Sequence, residues 1–129
     1  MKPKKPGWDY VAVVGSRDYP DREAVGRYMG EIALTAWDSV IVSGGAKGPD
    51  SWAVADAEEL GLHAEVFLAD WPTHGKAAGF MRNTQIVERC DRVVAFWDGK
   101  SRGTLDTIQK AVKAGKPVLI LGAPPTRLA

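Results

Sequence analysis

The sequence has few of the residues that build disulfides and zinc sites, and no stretch that could span a membrane. Its 129 residues include one cysteine and two histidines. A single cysteine cannot form an internal disulfide, and this set falls short of the four ligands of a usual structural zinc site. No apolar run approaches the ~18–20 residues that span a bilayer, and no apolar stretch follows the N-terminal lysines as a secretory signal would require. We therefore expect a cytoplasmic protein with no metal and no membrane partner.

Net charge is also nearly absent. Seventeen basic and sixteen acidic residues leave a formal charge of +1. Proteins that bind DNA or RNA along its phosphates usually carry a clear basic excess, so the composition disfavours a nucleic-acid partner. With 45% hydrophobic and 26% charged residues, the chain has the composition and length of one globular domain.

What the sequence does contain is a regular alternation of strands and helices. Five short apolar runs lack polar alternation, which indicates strands buried on both faces; they cover residues 10–14, 40–42, 64–68, 93–96 and 118–121. Segments with helical periodicity separate them, at about 25–36, 49–61, 79–89 and 104–114. This order predicts an α/β, Rossmann-like three-layer sandwich with a five-stranded parallel sheet in the order 3-2-1-4-5. We expect one domain over residues 9–122, with flexible tails at 1–8 and 123–129.

Glycine is over-represented, at about 11% against a typical ~7%, and it is concentrated at one place in this fold. Half of the fourteen glycines follow the carboxyl ends of the first four strands, namely Gly15, Gly44, Gly45, Gly48, Gly75, Gly99 and Gly103. Ligands bind at that edge of such sheets, near the point where the strand order reverses. Two of these loops run into helices, at Pro49 and Thr104, where unsatisfied amides favour a phosphate. Glycines in turns are the alternative reading, and neither a Gly-x-Gly-x-x-Gly fingerprint nor a P-loop is present.

Several cations lie at the starts of helices, where the helix dipole repels positive charge. Arg82 falls in the first turn of the third predicted helix, and Lys47 and Arg102 immediately precede the second and fourth helices. A bound phosphate would relieve this repulsion, and the planar guanidinium groups of Arg17 and Arg82 suit it. The alternative partners are acids of the same edge, namely Asp18, Asp50, Asp70 and Asp98.

Two tryptophans and two aspartates of these loops have open roles. Trp71 and Trp97 could each stack on a nucleobase, or fill the edge of the core. Asp50 could cap the second helix or hold a ribose hydroxyl, and Asp98 could do the same from the fourth strand. The sequence does not separate these roles.

Four blocks of sequence occur in order along the chain: Val14-Gly15-Ser16-Arg17, Val42-Ser43-Gly44-Gly45-Ala46-x-Gly48-x-Asp50, Gly79-x-x-Arg82-Asn83 and Ala95-Phe96-Trp97-Asp98-Gly99-x-Ser101-x-Gly103-Thr104. Together they resemble the SLOG superfamily, specifically its YspA-like branch, over residues 10–118. The superfamily includes the LOG phosphoribohydrolases and DNA-processing protein A. The resemblance implies a Rossmann-like domain that binds a nucleotide or a nucleotide-derived signal at its glycine-rich edge.

The LOG enzymes carry the sequence Pro-Gly-Gly-x-Gly-Thr-x-x-Glu at the fourth strand, and the glutamate assists glycosidic cleavage. Here Gly99, Gly103 and Thr104 match that pattern, whereas Asp98 replaces the proline and Thr107 stands at the glutamate position. The neighbouring Asp106 points about 100° away on a helix. The resemblance therefore implies phosphate and ribose binding and leaves hydrolase activity an open question.

The leading hypothesis is a sensor or binding domain for a nucleotide-derived ligand, with its phosphate on the amides of 44–48 and 103–104. No cofactor beyond that ligand is expected. The candidate binding residues are Gly15, Ser16, Arg17, Ser43, Gly44, Gly45, Gly48, Asp50, Trp71, Arg82, Asn83, Asp98, Gly99, Ser101, Gly103 and Thr104.

Two other functions remain open. One is a LOG-type nucleoside monophosphate N-glycosidase, for which Arg82, Asp98 and Asp106 are the catalytic candidates. The other is single-stranded DNA binding, by analogy with DNA-processing protein A. The LOG relatives also imply a homodimer or a higher homo-oligomer.

Overall fold

A computed structural model describes residues 2–122 and contains one five-stranded parallel sheet in the order β3-β2-β1-β4-β5. The strands are β1 (Asp9–Gly15), β2 (Ser39–Ser43), β3 (His63–Val66), β4 (Arg92–Trp97) and β5 (Val118–Gly122). The predicted fold class and strand order are confirmed. The order reverses between β1 and β4, so the topological switch point lies at the carboxyl ends of these two strands. The expected tail at 123–129 lies outside the described residues.

Helices cover both faces of the sheet. They are α1 (Arg22–Thr35), α2 (Pro49–Leu60), α3 (Trp71–His74), a 3-10 turn (Gly75–Ala77), α4 (Ala78–Arg89) and α5 (Arg102–Lys113). The apolar faces of α1 and α2 pack on one side of the sheet, around Val11 and Val13 of β1. Those of α4 and α5 pack on the other side, around Ala12 and Val14. The central strand therefore separates two apolar cores, one on each face.

Burial on both faces holds for three of the five strands. The interiors of β1, β2 and β4 are buried throughout, as the unbroken apolar runs predict. The prediction is wrong for β3 and β5, which form the two edges of the sheet and are covered less completely. Leu119 and Ile120 of β5 are each 46% exposed. An edge strand has a neighbour on one side only, and an apolar run does not reveal that position.

The segment after β3 differs from the single helix that the sequence predicts. The Asp70 side chain caps the short α3 by accepting from the amide of Thr73, and a 3-10 turn follows before α4 begins at Ala78. Arg82 therefore lies beyond the first turn of α4, and the expected dipole repulsion at that residue is wrong. Helix α5 begins two residues earlier than predicted because Ser101 is its N-cap.

Residues 2–8, which the sequence predicts to be a flexible tail, contact the domain at several points. The Arg89 guanidinium donates to the carbonyl of Lys2, and Lys4 forms an ion pair of 3.0 Å with Asp91. The Trp8 ring meets the edge of Trp37, with a centroid distance of 5.9 Å. The flexibility of this segment stays a prediction. Across residues 2–122, no helix has the length and apolar character that crossing a membrane requires.

Candidate ligand-binding cleft

A cleft of about 490 Å³ opens at the carboxyl edge of the sheet, within the range of small-molecule sites. It lies over the ends of β1 and β4, beside the starts of α2, α4 and α5. The predicted site residues that line it are Gly15, Arg17, Asp50, Trp71, Arg82, Asn83, Asp98, Ser101, Gly103 and Thr104. The structure thus brings ten of the sixteen predicted site residues together along one cleft.

Other lining residues were absent from the predicted set; they are Val14, Asp18, Ala46, Lys76, Gly79, Phe80, Lys100 and Thr107. Lys76 and Lys100 add positive charge to the rim, whereas Lys47 and Arg102 do not line the cleft. Phe80 is half exposed. An apolar residue near a helix start suggests core packing, so no signal in the sequence marks it as part of the cleft.

Asp50 ties together the ends of two strands. It is the second residue of α2 and is buried, and its two carboxylate oxygens each accept a backbone amide at 3.1 Å, from Gly15 and from Gly44. It does not cap α2, whose N-cap is Gly48. Burial raises the pKa of Asp50 to about 6, against the opposing influence of Arg82 and the two amides. Both oxygens serve the backbone, so the arrangement favours a structural role over ribose binding.

Arg82 is fixed between two loops of the cleft. Its Nη1 donates to the carbonyl of Gly44 at 2.8 Å, and its Nε donates to Oδ1 of Asn83 at 3.1 Å. A Cβ on Gly44 would lie 2.6 Å from Nη1 of Arg82, so this glycine permits the close approach of the guanidinium. Burial lowers the pKa of Arg82, the charge of Asp50 opposes that shift, and the nearby charge of Arg17 adds to it. Two guanidinium groups that repel each other across a cleft favour an anion between them.

The glycine-rich loop after β2 has mostly structural contacts. The amide of Gly44 donates to Asp50 and that of Gly45 donates to Oγ of Ser43. Gly48 has φ of +94° and packs on the β1–α1 loop, where a Cβ would lie 2.9 Å from the carbonyl oxygen of Ser16. None of these four β2-loop residues lines the cleft. The amides of Gly44 and Gly45 therefore already have partners within the protein, so the geometry does not favour the expected phosphate contact of these two amides.

The loop after β4 is ordered by its own polar groups. Asp98 Oδ1 accepts the amides of Lys100 and Ser101 at 2.8 Å each, and these bonds lower the pKa of Asp98. The buried Ser16 Oγ accepts the amide of Asp98 at 3.1 Å and does not line the cleft. Trp97 packs on the core and donates from Nε1 to the carbonyl of Ser101 at 3.1 Å. It fills the edge of the core, which is the second of its two predicted roles.

Trp71 differs from Trp97 in its surroundings. Its side chain is 48% exposed and lines the cleft beside Gly79. Gly99 lies in the β4–α5 loop outside the lining, with φ of +82°. Base stacking on Trp71 stays a prediction that the geometry allows.

The side of the cleft formed by α5 is where a LOG enzyme would carry its catalytic glutamate. Thr107, at the position of the LOG glutamate, is buried and lines the cleft. Asp106 points elsewhere, accepting Nδ2 of Asn83 at 3.1 Å and Nζ of Lys110 at 2.8 Å. The cleft thus has no carboxylate at the position from which a LOG enzyme acts. Within residues 2–122, no cluster of three or more histidine, cysteine or acidic side chains could hold a metal ion.

The fold and cleft define a class of protein: a doubly wound α/β domain with an open cleft at its topological switch point. The sequence model of the YspA, cpYpsA-related SLOG family (YAcAr) matches residues 10–74 of this chain. The chain is also 37% identical to the Gene 61 protein of Mycobacterium phage D29 over 122 residues, covering 89% of this chain and 98% of that protein. The chain belongs to the YspA-related SLOG family.

Solved structures share the fold at lower sequence identity. DNA processing protein A (DprA) from Streptococcus pneumoniae superimposes with a TM-score of 0.76 at 24% identity, covering 94% of this chain and 52% of that protein. DprA from Helicobacter pylori, described for its single-stranded DNA binding mode, gives 0.72 at 24% identity, covering 93% and 66%. The structure of TM1055 gives 0.61 at 22% identity, covering 86% and 72%. The chain thus spans about half of the pneumococcal protein and about two-thirds of the other DprA.

Proposed function

We propose that the cleft binds a small nucleotide-derived ligand, with an anionic group held by Arg17 and Arg82. The observation that carries this proposal is the pair of guanidinium groups at the switch point, one anchored and one exposed. Arg82 is held in place by Gly44 and Asn83, whereas Arg17 is exposed and forms no hydrogen bond within residues 2–122 through its side chain. A phosphate would neutralise both charges, and bidentate guanidinium contacts are strong phosphate contacts.

The start of α5 supports the same placement. Ser101, Gly103 and Thr104 line the cleft, and the amide of Gly103 donates to no backbone carbonyl within the described chain. Hydroxyls and amides at a helix N-terminus suit the phosphate of a nucleotide. This part of the predicted anion site is retained, in place of the amides of Gly44 and Gly45.

The remainder of the ligand would lie toward the aromatic side of the cleft. Trp71 and Phe80 line it and are each 48% exposed. An exposed ring beside cationic groups can take a nucleobase by stacking. A nucleotide therefore matches both sides of the cleft, whereas a free phosphate would leave the aromatic side unused.

A thermal-shift screen with AMP, ATP, cyclic AMP, NAD and ADP-ribose tests this function. A ligand at 100 times its Kd adds ~2.7 kcal/mol to the free energy of unfolding, which is readily measured. Arg17→Gln should abolish most of the shift with little loss of stability, because Arg17 is exposed. Arg27→Gln, on the exposed surface of α1 and outside the cleft lining, is the matched control. If no member of the panel stabilises the wild-type protein, the proposal fails.

Single-stranded nucleic acid is a second candidate ligand, because the rim of the cleft places four cations around exposed aromatic rings. The cations are Arg17, Lys76, Arg82 and Lys100. The fold shared with DprA weakens the inference from net charge that disfavoured a nucleic-acid partner. Fluorescence anisotropy with a labelled oligo-dT, repeated at several salt concentrations, tests it. Each phosphate contact should contribute about −0.7 to the slope of log K against log salt, so binding with a flat salt response would contradict this candidate.

The N-glycosidase alternative has less support in the geometry. The two carboxylates proposed for it, Asp98 and Asp106, accept hydrogen bonds from the backbone and from neighbouring side chains. We expect no adenine release from AMP at high protein concentration. Chromatographic detection of adenine, lost in Asp98→Asn or Asp106→Asn, would overturn that expectation. Oligomeric state and cytoplasmic location stay predictions.

A further inference from the structure

Asn83 uses all of its hydrogen-bonding groups to join two helices beside the cleft. Its Oδ1 accepts Nε of Arg82 at 3.1 Å, while its Nδ2 donates to the carbonyl of Gly103 and to Oδ2 of Asp106, both at 3.1 Å. Asn83 is buried, with 6% of the residue exposed. Because Arg82 can only donate and the other two atoms can only accept, these partners fix the orientation of the amide.

The far side of this network is anchored as well. Oδ2 of Asp106 accepts Nζ of Lys110 at 2.8 Å, and the same ammonium donates to the carbonyl of Phe80 at 2.6 Å. The chain of hydrogen bonds therefore leaves α4, crosses to α5 and returns to α4. Such a closed network restrains the Asn83 amide from both ends.

This network restrains the guanidinium of Arg82. Asn83 holds its Nε and Gly44 holds its Nη1, so two edges of the planar group are fixed. Its Nη2 forms no hydrogen bond within residues 2–122, and Arg82 lines the cleft. The network thus fixes the direction in which Arg82 offers its remaining donors.

We propose that Asn83 is the positioning residue of the cleft: through its amide it orients Arg82 and the first turn of α5 toward one ligand anion. Asp106, a catalytic candidate in the sequence, then acts by holding Asn83 and not by contacting the ligand. The ligand part of this inference rests on the proposed function, whereas the ordering of Arg82 does not.

The ordering is measured by NMR exchange of the Arg82 Nε–H with water, assigned with Arg82→Lys. A hydrogen bond to a charged group should slow this exchange about tenfold or more. Asn83→Leu, nearly equal in shape, should lose that protection and weaken AMP binding by a similar factor. Gln85→Leu makes the same kind of change on the exposed side of α4 and should alter neither quantity.

A second pair of variants keeps the test decisive if Asn83→Leu does not fold. Asp106→Asn retains an acceptor for the Asn83 amide and should leave exchange within about twofold of wild type. Asp106→Leu leaves the Asn83 amide with the carbonyl of Gly103 as its one acceptor, loosens its orientation, and should accelerate exchange of the Arg82 Nε–H several-fold.

A folded Asn83→Leu or Asp106→Leu in which the Arg82 Nε–H exchanges as slowly as in the wild type overturns the inference. Faster exchange with a matching loss of AMP affinity supports it in full. If the exchange rates differ as expected while neither AMP nor any other nucleotide of the thermal-shift panel binds the wild type, the positioning of Arg82 is supported and the proposed ligand class is what fails.

Discussion

Replacing the buried carboxylate of Asp50 by an amide should change how stability depends on pH. In Asp50→Asn, one oxygen that accepts a backbone amide becomes an NH2 group facing the N–H of Gly15 or Gly44. A buried donor left without an acceptor costs about 1–3 kcal/mol. Against this loss, the variant no longer buries a negative charge.

The free energy gained by no longer burying this charge follows from the pKa of Asp50, which burial raises from 3.8 to about 6. A raised pKa means that the folded protein binds the proton more tightly than the unfolded chain. The wild-type carboxyl therefore contributes most stability below pH 3.8, and this contribution is lost as pH rises through 6. A shift of roughly 2 units corresponds to about 3 kcal/mol.

The expected result is a crossover. Near pH 4 the variant should be less stable than the wild type by about 1–3 kcal/mol, and by pH 7.5 the difference should shrink to zero or change sign. Urea unfolding at half-unit pH steps measures this, with Asp18→Asn as a control for the loss of one negative charge at the same cleft. Stability curves of wild type and Asp50→Asn that run parallel from pH 4 to 7.5 would refute the reasoning.

Three further changes test other parts of the structure. Gly48→Ala should lower stability by about 1–3 kcal/mol, because φ of +94° disfavours a side chain; Gly30→Ala in α1, where a Cβ meets nothing within 4 Å, is the control in the same urea assay. Trp71→Ala should weaken binding of a nucleotide about tenfold or more, as stacking contributes ~1–3 kcal/mol, yet leave inorganic phosphate binding unchanged by calorimetry; equal losses for both would contradict a stacking role. Glu65→Gln should cost about 1–3 kcal/mol at pH 7, because the buried guanidinium of Arg89 loses the charge of its partly exposed ion-pair partner. Because that pair lowers the pKa of Glu65, the deficit should shrink as pH falls and the wild-type glutamate becomes protonated, and a deficit that persists in acid would argue against the pair.

Strand order and the position of the cleft could be predicted because they depend on periodicity and on the handedness of crossovers. The division after β3 was missed, although Asp70 followed by Pro72 is a typical helix start that could have signalled the short α3. Contacts between distant residues were not readable. The sequence does not distinguish a glycine that leaves space for a ligand from one that leaves space for a neighbouring side chain. Gly44 is of the second kind, and the side chain that packs against it, Arg82, lies 38 residues away in the sequence.

The tryptophans show the same limit. Trp71 begins α3, in the segment after β3, and Trp97 is the last residue of β4, so both lie at the carboxyl edge of the sheet. The role of Trp97 becomes clear only from its contacts: its Nε1 donates to the carbonyl of Ser101, and its ring packs against the core. When the role of a residue depends on its neighbours in three dimensions, a regular sequence pattern alone does not reveal that role.

The internal use of the amides of Gly44 and Gly45 has an evolutionary consequence. Since these backbone donors are used within the protein, the proposed function leaves discrimination among ligands largely to replaceable side chains such as Arg17, Lys76 and Trp71. Substitutions at those rim positions can alter what is recognised without disturbing the strand ends beneath them. The same glycine framework can thereby be inherited by proteins that respond to different molecules.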